Sequence, residues 1–580
     1  MNNIIQELIT TYFNNDKSQM EVLKSEEKRI IVEAPPGYGK TKLLLSKTLY
    51  NLLSHIPKNH EKVLMLTFSN NSTSKMKLDL FQNLDNYPYN VRSWINSKIQ
   101  ITNFHGLASG ILEKYGYLLD AKLKNLRNLQ IVNEYDIKNI NNIKNLLDFK
   151  HSVDNALENK IFTSLNKYND TVLNELLPQN KLTYNSILTL TIQLLQDNLE
   201  LLSLYKKLYS KIIVDEFQDT NHLNLRIIEL LIGKDTNIEL YGDPLQRIYG
   251  FIGTVDNIFD IVGEKYNFNF YKLETNYRFK GNGYLINLEK RVRTYADNPV
   301  RGFDKLASYS HENITVYDNH QKETKNVVEK IKRLHESNPD KKIAILTARR
   351  GKDIDLIMNE LNQNSITYFN ALELNTESID YKSFCDECAK AFQSYFDSEK
   401  NIVKKELNKW YLNFKGNFRV ASTQQQSLFT LLTAFLKDIV GDRSYRLLNR
   451  EGKYNYILSV FLEHKLSKYL SAIENPIQVL TIHTSKGLEW DIIFLVDVEQ
   501  GMLPSYSGMC KSCEYNIDCK INEIRGKSRL FIEQLSVFYV AVTRAKENVY
   551  ISLSEKNANN FNTNISCILD ELKIVPTRYN

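Results

Sequence analysis

No stretch of this chain reaches the roughly 18 consecutive apolar residues that a membrane-spanning helix needs. Its opening residues, MNNIIQELITTYFNNDKSQ, lack the basic start and long apolar stretch of a secretory leader, so a cytoplasmic location and no membrane partner are expected. Cysteine is scarce, six in 580 residues, which argues against a disulfide scaffold. There is no Pro- or Gly-rich linker, no low-complexity tail and no internal repeat. A marked excess of charge of one sign is also missing, with 74 Lys and Arg against 68 Asp and Glu. The net +6 permits nucleic acid as a partner without requiring it, because so small an excess on so long a chain is equally a solvated surface. The 34 Tyr and 26 Phe are suggestive in the same direction, since aromatic rings stack on bases, although most are expected in cores.

What is present is a chain too long for one core, so two to four domains are expected. Short apolar runs alternate with helical stretches. RIIVEA (29–34), VLMLTF (63–68), KIIVDEF and IELYGD read as four buried strands, and KIAILTA (342–348), QVLTIHT, DIIFLVDV and NVYISLS as four more. That alternation implies an α/β fold of doubly wound parallel sheets, with ligands at the carboxyl ends of the strands. Between about 107 and 205, and again from about 371 to 472, the pattern turns helical. The expected layout is a first α/β domain of residues 1–106 and 206–280 with a helical insertion at 107–205. A second domain of 281–370 and 473–580 carries an insertion at 371–472.

Residues 212–220 read IIVDEFQDT. A β-branched run ending in two acids is how a buried parallel strand presents carboxylates at its edge. Asp215 sits where Mg2+ needs a hard oxygen ligand, and Glu216 where an attacking water needs a base. Upstream, Ala34, Pro35, Pro36, Gly37, Tyr38, Gly39, Lys40 and Thr41 fit the phosphate-loop pattern, with alanine in place of its first glycine. In that pattern backbone N–H groups cradle the phosphates, Lys40 reaches the β- and γ-phosphates, and Thr41 joins Asp215 on Mg2+. Arg278 and Arg544, both near predicted strand ends, are candidate cations for the charge of phosphoryl transfer.

These segments together resemble the UvrD/Rep/PcrA family of superfamily 1 helicases. Gln19 lies 21 residues before Lys40, and APPGYGKT and VDEFQDT look like the two Walker motifs. LTFSN (66–70), NFHGLA (103–108), YGDPLQRIYGF (241–251), LETNYR, TIHTSKGLEW (481–490) and YVAVTRAK (539–546) follow in the family's order. The resemblance implies two RecA-like domains, ATP and Mg2+ as cofactors, and 3′–5′ movement on single-stranded or tailed duplex DNA. It implies that Gln19 reads adenine, Tyr277 stacks on it, and Gln246 senses the γ-phosphate. Arg278 and Arg544 would hold that phosphate from two sides, while Gly487 and Glu489 link the second domain to nucleotide. Phe68, Asn70, His105, Tyr249, Phe251 and His483 would face the DNA strand.

The sequence departs from the family in places. Ile252 stands where an arginine is usual, NSTSK (71–75) replaces KAAxE, and Asp79 takes the place of an arginine, which thins positive charge along the DNA path. Cys510, Cys513 and Cys519 form a C-x2-C-x5-C run, similar to the spacing of an iron–sulphur staple; with Cys385 and Cys388 the two C-x-x-C pairs would alternatively suit structural Zn2+. Free cysteines packed as small apolar residues are the third reading. Alongside a self-sufficient helicase stands a second functional expectation. It is a DNA-sensing ATPase subunit that works with a nuclease partner, as in Gabija-type anti-phage systems.

Overall fold

The computed structural model describes residues 16–54, 57–68, 70–84, 87–250, 253–279, 281–297, 306–374, 379–396, 400–417, 423–441, 445, 449–462, 464–509 and 527–579. Two compact units divide the chain, Met1–Lys280 and Gly281–Asn580. In the first, strands β1 (Arg29–Glu33), β2 (Lys62–Thr67) and β3 (Ile99–Asn103) precede a helical stretch. Two short paired strands, β4 (Gln130–Val132) and β5 (Lys181–Thr183), lie within that stretch. Strands β6 (Tyr209–Val214), β7 (Asn237–Gly242) and β8 (Asn269–Lys272) follow, and the main sheet runs β3-β2-β6-β7-β1-β8, parallel throughout.

Both faces of this sheet are covered, which is why its strands read as continuous apolar runs. Ile31, Leu64, Leu66, Ile212, Val214 and Leu240 turn to one side. There they join a core with Phe104, Leu107 and Ile111 and with Phe149, Tyr168 and Leu188 of the helical stretch. The alternate residues Ile30, Val32, Met65, Ile213 and Tyr241 turn to the other, against Leu43, Leu44 and Leu49 of the helix Lys40–Ser54. The period-2 alternation of strand side chains thus places one strand in two cores at once.

The second unit holds β9 (Ile314–Tyr317), β10 (Ile343–Thr347), β11 (Phe369–Asn370), β12 (Ile477–Thr481), β13 (Trp490–Leu495), β14 (Ala545–Ser554) and β15 (Thr577–Arg578). They form one parallel sheet in the order β11-β12-β10-β13-β14-β9-β15. Helices Ile379–Phe396, Lys404–Gly416, Thr423–Gly441 and Arg450–Leu462 fill the stretch between β11 and β12.

All eight strands expected from apolar runs are present. Those the apolar pattern passes over are β3, β8, β9 and the short pieces. β3 and β8 are edge strands of the first sheet, and β8 (NFYK) is mostly exposed, so neither needs the apolar run that marks a central strand.

Candidate functional site

The phosphate loop connects β1 to the helix Lys40–Ser54. Ala34, in the place of the pattern's first glycine, is fully buried, and its N–H donates to the Gly242 carbonyl at 2.8 Å. A methyl therefore packs where a bare backbone is usual. Gly37 (φ 85°) and Gly39 (φ 79°) take the left-handed backbone that only glycine adopts without strain. They are also hemmed in. A Cβ on Gly37 would lie 2.6 Å from Arg278 Cβ and 2.8 Å from Asn276 Oδ1, and one on Gly39 2.7 Å from Gln19 Nε2.

Those neighbours build the loop's outer wall. Gln19 is buried on the helix Lys17–Lys24 and donates through Nε2 to the Tyr38 carbonyl at 2.8 Å. The Tyr277 N–H donates to the Gly37 carbonyl at 2.8 Å, and the Tyr277 ring is 47% exposed, leaving a free face for stacking. Asp16 ties the two together. As N-cap of its helix it accepts from the Gln19 N–H at 2.9 Å, and it also accepts from the Tyr277 hydroxyl at 2.7 Å. Burial opposes ionisation of Asp16, but hydrogen bonds from Ser18, the Gln19 N–H and Tyr277 outweigh it and hold the carboxyl below its usual range. The Tyr277 hydroxyl is pushed up to about 12, first by burial and then by the adjacent Asp16. Sequence reading passed over Asp16, although an acid three residues before Gln19 at a helix start is an N-cap signal.

At the loop's inner end Lys40 Nζ lies 2.9 Å from Asp215 Oδ1 and 2.5 Å from Glu216 Oε1. Burial alone would lower the ammonium's pKa, yet the two carboxylates outweigh it and raise it, so Lys40 stays charged. Asp215 is raised, by burial first; Lys40 pulls it down and Glu216 pushes it up again. One ammonium between two carboxylates leaves the cluster an excess negative charge. The buried Asp215 Oδ1 also lacks an aligned hydrogen-bond donor despite its closeness to Lys40. Both features suit a divalent cation beside Asp215, and Thr41 lies in the first turn of the helix that follows the loop.

Glu216 sits in the left-handed region (φ 55°, ψ 42°) and turns the chain from β6 into the short 3-10 helix Phe217–Asp219. Strained backbone of this kind is tolerated where surrounding contacts over-determine it. Here they do. Glu216 Oε2 accepts from Gln218 Nε2 at 2.6 Å, Gln218 Oε1 accepts from the Asp243 N–H at 3.1 Å, and Gln246 Nε2 donates to Asp243 Oδ2 at 3.3 Å. A continuous polar chain thus joins Lys40 to Gln246 across the ends of β6 and β7. Gln218 and Asp243 belong to the site as much as the acids beside them.

The expected DNA-facing residues of the first unit are spread along the same edge. The rings of Phe68, just past β2, and Tyr249 stack with centroids 5.5 Å apart and planes at 20°. Asn70 opens the helix Asn70–Leu84. His105 lies in the first turn of the helix Phe104–Tyr115 and packs edge-on against Tyr184 at 5.8 Å; burial pushes its imidazole down to about 4, so it is neutral at physiological pH. Phe251 and Ile252 lie outside the described residues.

In the second unit Arg544 is buried. It donates from Nε to the Val540 carbonyl (3.0 Å), from Nη1 to the Leu488 carbonyl (3.3 Å) and from Nη2 to Thr543 Oγ1 (3.2 Å). Glu489 pairs with Lys546 at 2.9 Å, Gly487 has φ 81°, and His483 lies in the turn after β12. These residues cluster through the pairing of Trp490 with Ala545 in β13 and β14. Cys510, Cys513 and Cys519 lie outside the described residues. Cys385 and Cys388 are free and buried in the helix Ile379–Phe396, where burial raises both thiols. Among the described residues no helix is long and apolar enough to cross a membrane.

Comparison with known proteins adds the following. The UvrD/REP helicase N-terminal domain matches residues 15–176 and 154–267, and the UvrD-like helicase C-terminal domain matches residues 386–556. The chain is 24% identical to a probable DNA helicase II homolog of Mycoplasma genitalium, over 91% of this chain and 83% of that protein. It is 24% identical to the ATP-dependent DNA helicase Rep of Buchnera aphidicola, over 97% of both. Identity to the ATP-dependent DNA helicase PcrA of Staphylococcus epidermidis is 21%, over 93% of this chain and 83% of PcrA.

Proposed function

The chain belongs to the UvrD/Rep family of ATP-dependent DNA helicases, and from that premise we propose that it hydrolyses ATP to move 3′ to 5′ along single-stranded DNA. The observation that carries the reading is the polar chain from Lys40 through Glu216, Gln218 and Asp243 to Gln246. It begins at a phosphate loop and ends beside the segment that carries Tyr249. Loss of a γ-phosphate at one end therefore has a direct mechanical route to an aromatic that can stack on bases.

In this reading Gln19, Asp16 and Tyr277 bind the adenine, and the loop's N–H groups and Lys40 hold the phosphates. Thr41 and Asp215 would hold Mg2+, which supplies charge neutralisation on the phosphate oxygens. Glu216 orients and deprotonates the attacking water. Gln246 and Arg278 contact the γ-phosphate, and Arg544, Gly487 and Glu489 carry the second unit's response to nucleotide. Phe68, Asn70, His105, Tyr249, Phe251 and His483 line the DNA track, where stacking is sequence-tolerant as a translocating motor requires.

Two measurements test this. Hydrolysis is expected to rise when single-stranded DNA is added, and a duplex with a 3′ tail is expected to be unwound in preference to one with a 5′ tail. Hydrolysis indifferent to DNA, or preference for the 5′ tail, would refute the motor or its direction respectively. A separate expectation concerns the adenine wall. Tyr277→Ala should raise KM for ATP by about tenfold, in keeping with about 1–3 kcal/mol for an aromatic stacked on a base. Tyr277→Phe, which removes only the bond to Asp16, should change it less. Steady-state kinetics on the two variants decide it, and equal effects would remove stacking as the ring's role.

A further inference from the structure

The second unit contains a buried constellation of acids that the ATP chemistry does not use. His320 and Glu323 occupy the first turn of the helix His320–Ser337, and Asp353 the first turn of the helix Lys352–Gln363. Asp497 and Glu499 follow β13, at the carboxyl edge of the sheet. Glu323 is 0% exposed, Asp497 1%, Glu499 4% and His320 2%. Among the described residues, the only ion pairs that Glu323, Asp353 and Asp497 make are with the single imidazole, and Glu499 makes none. Four carboxylates facing one imidazole leave negative charge uncompensated where desolvation is most costly.

The hydrogen bonds show which groups are already satisfied. Glu323 accepts from Ser552 Oγ at 2.5 Å, Glu499 accepts from the Ser554 N–H at 2.7 Å, and Asp353 Oδ1 accepts from the Ala558 N–H at 2.7 Å. Asp497 Oδ1 is different. It is buried, has no hydrogen-bond partner, and points to His320 Nδ1 across 3.8 Å, too far for a hydrogen bond. The histidine is set for the same gap. Its Nε2 lies 2.9 Å from the Asp353 main-chain carbonyl and must donate to it, while Nδ1 faces the acids, 3.2 Å from Glu323 Oε2 and 3.8 Å from Asp353 and Asp497, so a cation there takes the place of the Nδ1 proton. An imidazole whose outer N–H is held by a carbonyl is the arrangement seen in metal-ligating histidines.

We propose that this cluster binds one divalent cation of the Mn2+ type, with His320 Nδ1 and carboxylate oxygens of Asp353 and Asp497 as ligands and Glu323 and Glu499 beside them. One oxygen or nitrogen from each of His320, Asp353 and Asp497 lies within 4.8 Å of the others, as do oxygens of Glu323, Asp497 and Glu499, and Asp497 belongs to both sets. Mixed imidazole and carboxylate donors, with no thiolate, favour Mn2+ over the softer metals that cysteines select. The ion is structural. It fastens the first turns of two helices to the ends of β13 and β14 and supplies the positive charge the cluster lacks.

The test uses the full chain carrying Asp215→Asn, which removes the phosphate loop's own metal ligand, stripped with EDTA and free of nucleotide. Titration with Mn2+ followed by electron paramagnetic resonance should show one bound ion per chain. The melting temperature of the second unit should rise by about 4 °C at a free Mn2+ of about 100 times Kd. Adding Asp497→Asn should abolish both signals while leaving the metal-free protein at least as stable, because a buried carboxylate without a donor has been neutralised. If Asp497→Asn does not fold, His320→Gln carries the same comparison. Absence of a bound ion in the Asp215→Asn protein, or binding that survives both Asp497→Asn and His320→Gln, would overturn the proposal.

Discussion

Lys40→Ala is expected to lower ATP turnover by about 10²–10³-fold or more, the loss typical when a single fixed positive donor is removed from developing charge. A second consequence follows from the geometry of the cluster. Lys40 is the cation between Asp215 and Glu216, at 2.9 and 2.5 Å, and Asp215 is almost wholly buried. Its removal leaves two carboxylates facing one another, a change that costs about 3–5 kcal/mol when a buried pair loses one partner. The acids can recover part of that by protonation. Asp215 is already raised above its ordinary value, by burial first, and loses its one attractive neighbour in the variant. A carboxyl raised in the folded state favours folding as pH falls, because the folded protein then holds the proton more tightly than the unfolded chain. The stability deficit of Lys40→Ala should therefore be larger at pH 7 than at pH 5. Thermal melts of both proteins at the two pH values measure it. A deficit that grows on acidification would mean the acids are not repelling each other.

Glu216→Gln should reduce hydrolysis by about 10²–10⁴-fold, the range attributed to a positioned general base, while ATP still binds. The substitution keeps the side chain's shape, and one amide oxygen can still accept from Lys40. It cannot also accept from Gln218 Nε2, since its other terminal group is now a donor. Gln218 keeps its hold on the Asp243 N–H, so the wall toward Gln246 stays in place. Nucleotide affinity by fluorescence titration and single-turnover hydrolysis separate binding from chemistry. Turnover within about tenfold of the parent would assign the base role elsewhere.

The chemistry at the strand ends was legible in the chain because it is local. IIVDEF is a buried run ended by acids, and PPGYGKT is a turn that glycine backbone makes feasible at φ 85° and 79°. Both follow from residue type and spacing alone. So do the eight apolar strands, since a strand covered on both faces must be apolar along its whole length. The edge strands β3 and β8 escaped because they are not so covered.

Tertiary structure alone brought Asp16 to Tyr277, 261 residues away, and Gln218 to the Asp243 N–H, 25 residues away. It also gathered His320, Glu323, Asp353, Asp497 and Glu499 at one sheet edge. Each of these meetings is fixed by strand order, β3-β2-β6-β7-β1-β8 in one unit and β11-β12-β10-β13-β14-β9-β15 in the other. Residue spacing carries the turn and the strand because those are closed by neighbours in sequence. Which distant carboxylate faces which imidazole depends on the packing of whole elements, where the decisive free energy is apolar burial shared among many side chains.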